Sequence, residues 1–544
     1  MTRNHAKPNP AARDFERLLS SPWAGPVFLA LIHLVIAALA FHHEPFTGGD
    51  DATYMALARS LIQRHDYTDI WDPALPPHTQ YPPIFPLMLA ASLLAGLTPA
   101  FGLKVLMVVI STLAVFASCL WLRKVTTAGI AFCAGFFIAI SPEIIRLGQE
   151  ILSDGAFWFF AILALLLWHK ADARDSNESR SMPAGWVVAA AAATLAAYFT
   201  RSAGAPLLLA IFVWLAMRKQ LRAIAVVAAM SAPPIFLWWL RGRAKGAGGY
   251  LAPFLSVDPY NPALGNVDAT TLLRRVGQNA HLYSSRHLSH LVFGTPRTGV
   301  LFGIAFAAAV IYGWSRKARK PGLAEVWLPL YLALVILWPV AWSSPRFLLP
   351  VVPLLAFYVG ETIAALARSA SSPRIFAAAM LLAGVVTVQR ELRHQVDIGT
   401  HCREAYDLGE SYPCTAPVFR DFFTTADRAR GKLPPGSVVI SRKPTIFFEH
   451  SGYQSTLYPL TRKPEPFFAL ADSVHANYLI IDQIGDLAPK YLHPVMLARR
   501  DDFCIVTELS TENAAFAKIE PGGAPRAPGA APNAFRTCPL VPAK

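Results

Sequence analysis

Apolar segments long enough to cross a lipid bilayer recur between residues 24 and 388. A helix needs about 20 apolar residues to cross the roughly 30 Å hydrocarbon core. A soluble protein with 54% hydrophobic and only 15% charged residues could not bury this much apolar surface. The chain is therefore predicted to be an α-helical polytopic membrane protein with about 11–13 spans. The clear spans are 24–41, 103–121, 126–141, 152–168, 184–200, 204–217, 222–240, 298–314, 325–343, 347–366 and 374–388.

Basic residues are concentrated before the first span and in every second loop after it. Cytoplasmic loops of membrane proteins carry such an excess of Lys and Arg. The net charge of +14 is explained in this way, so no nucleic-acid partner is expected. The basic residues in question are Arg3, Lys7, Arg13 and Arg17; Arg123 and Lys124; Lys170, Arg174 and Arg180; Arg218, Lys219 and Arg222; Arg316, Lys317, Arg319 and Lys320; and Arg368 and Arg374.

This charge pattern also predicts which regions face outward. A full crossing by 84–99 would place every later basic loop outside, so this proline-flanked stretch is predicted to be re-entrant or interfacial. Residues 1–23 are then cytoplasmic, and 24–389 form a membrane domain with outer loops at 42–102 and 241–297. The region after 389 is predicted to be periplasmic or extracellular, on a protein of the inner (plasma) membrane.

The C-terminal region has a soluble composition. Residues 437–443 and 477–482 read as buried strands, and "PFFALADSVHA" between them reads as a helix. A small α/β domain is therefore predicted over 390–520, followed by a flexible Pro/Gly/Ala-rich tail over 521–544.

Four of the six cysteines lie in this outward region. An even number of cysteines in an oxidising compartment favours disulfides, and the absence of a CxxC spacing disfavours a metal site. The simplest of the three possible pairings joins Cys402 to Cys414 and Cys504 to Cys538.

The stretch "FTGGDDATYMALARSLIQRH", residues 46–65, places two adjacent carboxylates beside the membrane. One interpretation is structural: Asp50 occupies the N-cap of an amphipathic surface helix and Asp51 complements its dipole. The other is functional: one carboxylate is a general base, or the two help to hold a divalent cation.

Three further outer span boundaries carry ionisable residues. "SPEIIRLGQEILSDGAFWFF" contains Glu150 and Asp154. An ionisable residue at the head of a span, such as Asp154, is a candidate functional residue. The alternative is that Asp154 is an interfacial residue whose side chain reaches water. Arg201 and Arg346 lie in turns between spans, where each could be a boundary anchor. Together they could bind a lipid phosphate, because guanidinium groups recognise phosphate through paired hydrogen bonds.

The ordered motifs "GGDDATYMALARSL", "YPPIFPLMLA", "SPEIIRLGQEILSD", "TRSAGAPLLL" and "RFLLPVVPLLAFY" resemble membrane glycosyltransferases of the GT-C class. The resemblance is to the branch of protein O-mannosyltransferases and lipid A aminoarabinose transferases, over roughly residues 20–390. It implies that Asp50 is the base, and that Asp51 stands where a Glu is more usual. Tyr54 matches an aromatic residue four positions after that base, and Asp154 matches an acidic residue near the same site. Tyr81 replaces the Lys of the aminoarabinose enzymes, so lipid A is not implied as the acceptor.

The resemblance implies an inverting transfer of a hexosyl or pentosyl group from a polyprenyl-phosphate carrier to a lipid, glycan or protein acceptor. Asp50, Asp51 and Asp154 would be catalytic, and Arg201 and Arg346 would bind the donor phosphate. A divalent cation, Mg or Mn, is a candidate cofactor that the three Asp residues would hold.

Tyr54, Tyr81 and Glu150 are the candidate substrate-site residues. Membrane lipids are further partners. The alternatives are a polytopic transporter or lipid flippase, which should show repeats and mid-membrane charges, and a non-catalytic membrane scaffold.

Overall fold

The computed structural model describes residues 21–44, 49–99, 101–172, 182–244, 250–295, 299–369, 373–523 and 535–540. The basic residues before position 18, Arg174, Arg180 and most of the predicted tail over 521–544 lie outside the described residues.

Helices dominate the first 407 residues. They are α1 (Ala24–Leu39), α2 (Asp50–Arg64), α3 (Ile84–Leu94), α4 (Phe101–Val125), α5 (Ala128–Ala139), α6 (Pro142–Leu147), α7 (Ser153–Asp172), α8 (Ala184–Thr200), α9 (Ala205–Met217), α10 (Leu221–Ala244), α11 (Leu251–Leu255), α12 (Ala269–Leu282), α13 (Leu288–Phe293), α14 (Gly299–Lys317), α15 (Leu323–Leu337), α16 (Val352–Ser369) and α17 (Pro373–Asp407).

Each predicted span overlaps a helix, although the helix in the span predicted at 325–343 ends at Leu337. Among the described residues, four helical segments are both long and apolar enough to cross a bilayer: Phe101–Val125, Ser153–Asp172, Leu221–Arg243 and Pro345–Arg368. Shorter apolar helices cover other predicted spans, including Ala24–Leu39 and Ala184–Thr200. The chain is thus a helical membrane protein, as its sequence predicts.

Helix α3 occupies the segment predicted to be re-entrant. Its 11 residues extend about 16 Å, about half of the hydrocarbon core. Phe85 and Leu89 are completely buried, whereas Leu94 is 72% exposed at the far end. The side of α3 that carries Phe85 and Leu89 is therefore packed inside the protein, and the helix contacts α2. The end that carries Leu94 is exposed.

The predicted boundary at residue 389 lies inside α17. This helix has 35 residues and extends about 52 Å, well beyond the hydrocarbon thickness. The remaining elements are α18 (Pro417–Ala429), β1 (Val438–Ile440), α19 (Pro444–Ser451), β2 (Gln454–Thr456), α20 (Pro464–Ser473), β3 (Ala476–Asp482), α21 (His493–Ala498), β4 (Phe503–Val506), β5 (Ala514–Ile519) and β6 (Arg536–Cys538).

The six strands form one mixed sheet in the order β2-β1-β3-β5-β4-β6. Strand β1 pairs in parallel with β2 and β3, whereas β5 pairs antiparallel with β3 and β4. The structure pairs Cys402 with Cys414 and Cys504 with Cys538, with Cα atoms 5.7 and 5.8 Å apart, a normal separation for disulfides. The second disulfide links β4 to β6 at the edge of the sheet.

The α/β domain shares a hydrophobic core with helices α2 and α3. Tyr54 and Phe85 belong to the same buried cluster as Phe422, Phe423 and Phe447. Helix α19 packs directly on α2, the helix that begins with the paired carboxylates. The soluble domain is thus a structural neighbour of the predicted site.

Candidate active site

Asp50 is the first residue of α2. The N-cap is Gly49, whose φ of +118° is left-handed and favours glycine. Within the described residues, no side-chain hydrogen bond caps this helix, so the capping interpretation does not hold for Asp50. Asp50 Oδ2 instead accepts a hydrogen bond from Arg346 Nη2 at 2.6 Å, and its Oδ1 accepts one from the Tyr81 hydroxyl at 3.0 Å.

These contacts keep the Asp50 carboxylate ionised. Burial alone would raise the pKa of Asp50, but the Arg346 guanidinium outweighs that effect, with help from Arg201 and the Tyr81 hydroxyl. The pKa of Asp50 therefore lies below its ordinary value. The carboxylate is nevertheless 35% exposed, so small molecules can reach it.

Asp51 has a different environment. It is 1% exposed, and its Oδ1 accepts hydrogen bonds from the backbone N–H groups of Gly49 and Ala52, both at 2.9 Å. These contacts fix the turn that presents Asp50. The two carboxylates are adjacent in sequence but lie in different surroundings.

The 3₁₀ helix Pro345–Val351 carries Arg346. The Tyr331 hydroxyl donates to the Phe347 carbonyl at 2.7 Å, which fixes the backbone beside Arg346. The Phe347 ring lies 5.3 Å from the Arg346 guanidinium carbon and 5.2 Å from that of Arg201. One aromatic ring thus brings together two arginines that are far apart in sequence.

Arg201 follows α8 in an extended conformation. Its Nη1 donates to Asp154 Oδ2 at 2.6 Å and to Ser153 Oγ at 3.3 Å. Ser153 Oγ also contacts the Tyr54 hydroxyl at 2.7 Å. Asp154 is buried and orients the Arg201 guanidinium by a charge-assisted hydrogen bond.

A second ionic cluster surrounds Arg146, in the last turn of α6. Its guanidinium donates to Glu143 Oε1 at 2.8 Å and also to Glu150. Burial raises the pKa of Glu150 above its ordinary value, although Arg146 opposes this. Glu150 can therefore bind a proton more readily than an exposed glutamate.

These groups surround a cavity of about 510 Å³, a usual size for a small-molecule site. Tyr250, Tyr260, Trp338 and Trp342 supply aromatic faces, and the first two lie in the outer loop predicted at 241–297. The lining residues are Asp50, Gln80, Tyr81, Arg146, Leu147, Glu150, Leu152, Arg201, Tyr250, Tyr260, Trp338, Ala341, Trp342, Ser343, Ser344, Arg346, Phe347 and Lys443.

Most of the residues predicted for the site meet at this cavity. The predicted residues that line it are Asp50, Tyr81, Glu150, Arg201 and Arg346. Those that lie behind the lining are Asp51, Tyr54 and Asp154.

Lys443 is a cavity residue that the sequence analysis did not single out. It precedes α19 in the soluble domain, and a Cβ added to Gly49 would lie 3.4 Å from its Nζ. Thr445, two residues on, receives a hydrogen bond of 3.3 Å from Thr53. The docking of α19 on α2 therefore carries a fourth basic group to the cavity, in addition to Arg146, Arg201 and Arg346. A signal was present in the sequence, since Lys443 stands immediately before Pro444 at a helix start.

The three Asp residues do not suit a shared divalent cation. Asp50 is hydrogen-bonded to Arg346, Asp154 to Arg201, and Asp51 to backbone N–H groups. In the part of the chain that the structure describes, no group of three or more His, Cys, Asp or Glu is arranged to hold a metal. The predicted cation set therefore does not fit this arrangement.

Comparison with known proteins supports the fold. No protein-family model and no curated protein matches the chain. Among solved structures, the Archaeoglobus fulgidus oligosaccharyltransferase in complex with Zn and sulfate matches with a TM-score of 0.58 and 16% identity, covering 90% of this chain and 73% of that chain.

Two lipid-phosphate complexes match as well. ArnT from Cupriavidus metallidurans bound to undecaprenyl phosphate has a TM-score of 0.56 and 13% identity, covering 92% of this chain and 99% of that chain. The oligosaccharyltransferase AglB from Archaeoglobus fulgidus, in complex with an inhibitory peptide and a dolichol-phosphate, has a TM-score of 0.57 and 13% identity, covering 91% and 74%. The chain therefore has the fold of the GT-C class of membrane glycosyltransferases.

Proposed function

We propose that the protein is an inverting glycosyltransferase that moves a sugar from a polyprenyl-phosphate carrier to an acceptor hydroxyl. The observation that carries this proposal is the placement of Asp50, Arg346 and Arg201 around one cavity at the ends of membrane helices. A base for the acceptor and cations for the leaving phosphate are the two functions that such a transfer requires.

The donor phosphate would bind between Arg201, Arg346 and Lys443. Arg201 and Arg346 share the Phe347 ring, and Lys443 approaches from the soluble domain. Asp50 and Asp154 neutralise the arginines in the absence of donor. The lipid phosphates bound by ArnT and AglB support a ligand of this class.

Donor binding would also activate Asp50. The pKa of this carboxyl is low because Arg346 donates to it. A phosphate that attracts the same guanidinium weakens that contact and raises the basicity of Asp50. The base then becomes effective when a donor is present, since proton transfer is most efficient when the pKa approaches the working pH.

The reaction balances without a further reactant. Asp50 accepts the proton of the acceptor hydroxyl, whose oxygen attacks the anomeric carbon. The bond from that carbon to the phosphate oxygen breaks, and polyprenyl phosphate leaves with its electron pair. Attack opposite the leaving group inverts the anomeric centre. Arg201, Arg346 and Lys443 stabilise the charge that develops on the phosphate.

The aromatic part of the cavity would receive the sugar. Tyr250, Tyr260, Trp338 and Trp342 line it, and Tyr260 and Trp342 stand edge to face at 6.4 Å. Aromatic faces bind the apolar side of a ring while a few polar groups set its orientation. The acceptor is a lipid, glycan or protein at the outer face of the cytoplasmic membrane.

Two features support the outward orientation of the site. The charge of the loops predicts it, and the two disulfides of the neighbouring domain suit an oxidising compartment. The same orientation places the whole cavity on the side where the donor sugar is expected.

The test is transfer from radiolabelled polyprenyl-phosphate sugars by the purified protein, with NMR of the product's anomeric centre. Envelope lipids and proteins from cells with and without the gene supply candidate acceptors. We expect transfer with inversion from at least one donor. Transport of a donor across vesicle membranes without transfer would instead support a flippase, and retention of configuration would exclude the mechanism above.

A further inference from the structure

A second cavity of about 340 Å³ lies at the opposite end of the helix bundle. Helix α7 connects the two regions, because Asp154 near its start contacts Arg201 and Asp172 at its end lines the second cavity. These residues are separated by about 27 Å along the helix, close to the roughly 30 Å of a hydrocarbon core. The second cavity therefore lies at the other face of the membrane, which the loop charges predict to be cytoplasmic.

The lining combines basic side chains with indole rings. Lys124, Lys317 and Lys320 contribute ammonium groups, and Trp168 and Trp214 contribute rings that stand edge to face at 5.9 Å. Lys124 and Lys320 are exposed, whereas both tryptophans are buried. A basic rim above an aromatic wall is the arrangement that suits a lipid headgroup at a membrane surface.

The basic charge of the rim is only partly neutralised. Lys317 is 3.5 Å from Glu361. Two carboxylates line the cavity: Asp172 is 3.2 Å from Arg218, and Glu325 accepts hydrogen bonds from the Tyr358 hydroxyl and the Gly322 N–H, both at 2.8 Å. Within the described ranges, neither Lys124 nor Lys320 has a carboxylate at ion-pair distance. The site therefore favours an anion.

Two buried polar atoms of lining residues have no hydrogen-bond partner in the described part of the chain. They are the N–H of Trp214 and Oδ1 of Asp172. A buried polar atom without a partner costs about 1–3 kcal/mol, so such atoms normally bind a ligand or water. One is a donor and the other is an acceptor. A ligand that carries both an anionic oxygen and a hydroxyl group would satisfy the two.

We propose that this cavity binds the headgroup of an anionic membrane lipid of the phosphatidylglycerol class. The phosphate lies between Lys124 and Lys320, and the headgroup hydroxyl donates to Asp172 Oδ1. An ester or phosphate oxygen accepts from the Trp214 N–H, and the acyl chains continue along the aromatic wall. Phosphate in solution would satisfy the lysines but would leave the apolar wall uncovered. The structure therefore favours a lipid over a soluble phosphate compound.

The test is equilibrium binding of labelled short-chain phosphatidylglycerol to the full-length protein in phosphatidylcholine nanodiscs. We expect saturable binding that unlabelled phosphatidylcholine and inorganic phosphate do not compete away. The double variant Lys124→Gln/Lys320→Gln should bind about tenfold or more weakly, since each basic group near a membrane surface contributes substantially to anionic-lipid binding. Trp214→Phe keeps the ring but loses the N–H, and should bind several-fold more weakly.

The matched control is Arg316→Gln/Arg319→Gln. It removes the same charge from the same membrane face, but neither arginine lines the cavity. This control should bind within about twofold of the unaltered protein if the cavity, rather than general surface charge, carries the affinity. Equal losses in the two double variants would overturn the proposal. Competition by inorganic phosphate at matched concentration would reassign the site to a soluble anion. Unchanged lipid affinity in Trp214→Phe would show that the Trp214 N–H does not bind the lipid.

Discussion

Replacement of Asp50 by Asn tests the proposed base directly. Asn keeps the size of the side chain and an oxygen that can accept from the Tyr81 hydroxyl, now 3.0 Å from Asp50 Oδ1. It removes the charge that pairs with Arg346 at 2.6 Å and the ability to accept a proton. The substitution therefore removes the proposed catalytic group while the size of the side chain is preserved.

The expected effects on stability and activity differ greatly in size. The Asp50–Arg346 pair is partly exposed, at 35% and 23%, and such pairs contribute about 0–1 kcal/mol. Unfolding should therefore shift by about 2 °C or less. Loss of a positioned base lowers the rate by about 10²–10⁴-fold. A large loss of turnover in a normally folded protein is the expected result.

The assay is single-turnover transfer from a polyprenyl-phosphate sugar, with thermal unfolding of the same preparation in detergent. Asp51→Asn is the matched control, because Asp51 lies behind the cavity and Asn can still accept from the Gly49 and Ala52 amides. It should retain turnover within about threefold, since Asn preserves these two backbone contacts. Near-normal turnover by a folded Asp50→Asn would refute the reasoning, and so would equal losses in the two variants.

The pH dependence of the unaltered enzyme gives a second readout. The acidic limb of kcat/KM reports the free enzyme, in which Arg346 holds the pKa of Asp50 low, whereas that of kcat reports the donor complex. If the donor phosphate draws Arg346 away, the limb of kcat lies at higher pH. Coincident limbs would show that Asp50 keeps its partner during the reaction.

Three other outcomes are expected. Arg346→Ala should raise the donor KM about tenfold or more. Arg346→Lys should restore donor binding only in part, because an ammonium cannot make the paired contacts of a guanidinium. Equal donor KM values in both variants and the unaltered enzyme would contradict this. Lys443→Gln should raise the donor KM several-fold while thermal unfolding hardly changes, and unaltered donor binding would exclude Lys443 from the phosphate site. Glu449 is buried, and burial raises its pKa to about 7 despite the opposing charge of Arg59. Between its ordinary pKa of about 4.5 and pH 7 the folded state binds the proton that the unfolded state releases, so stability falls as pH rises. Glu449→Gln should remove this fall, worth about 3 kcal/mol at most, in thermal unfolding measured from pH 4 to pH 8; an unchanged pH profile would show that Glu449 is ionised when folded.

The sequence predicts the membrane helices because their apolar lengths match the bilayer. It also predicts that Asp50, Arg201 and Arg346 approach one another, since each lies at a span end on the same side. It does not reveal that Phe347 contacts both guanidinium groups, because that contact depends on the packing of helices distant in sequence. Lys443 was missed for a related reason, since its position depends on how α19 docks on α2.

Two predicted details differ from the structure because they depend on the local backbone conformation. Asp50 was expected at the N-cap, but the left-handed Gly49 takes that position and leaves the carboxylate for Arg346. The span predicted at 325–343 contains a helix that ends at Leu337, because the chain turns at Pro339 into the short helix Val340–Trp342. Hydropathy cannot show such a turn, since the residues on both sides are apolar.

The shared core of Tyr54 and Phe85 with Phe422 and Phe447 links the biogenesis of the two parts of the protein. Helix α2, which carries Asp50, is synthesised well before the last 150 or so residues of the chain. Until those residues arrive, the apolar face that α19 covers is bare and the cavity lacks Lys443. For the proposed transferase, insertion of the membrane helices alone would therefore leave the cavity incomplete until the C-terminal domain has folded.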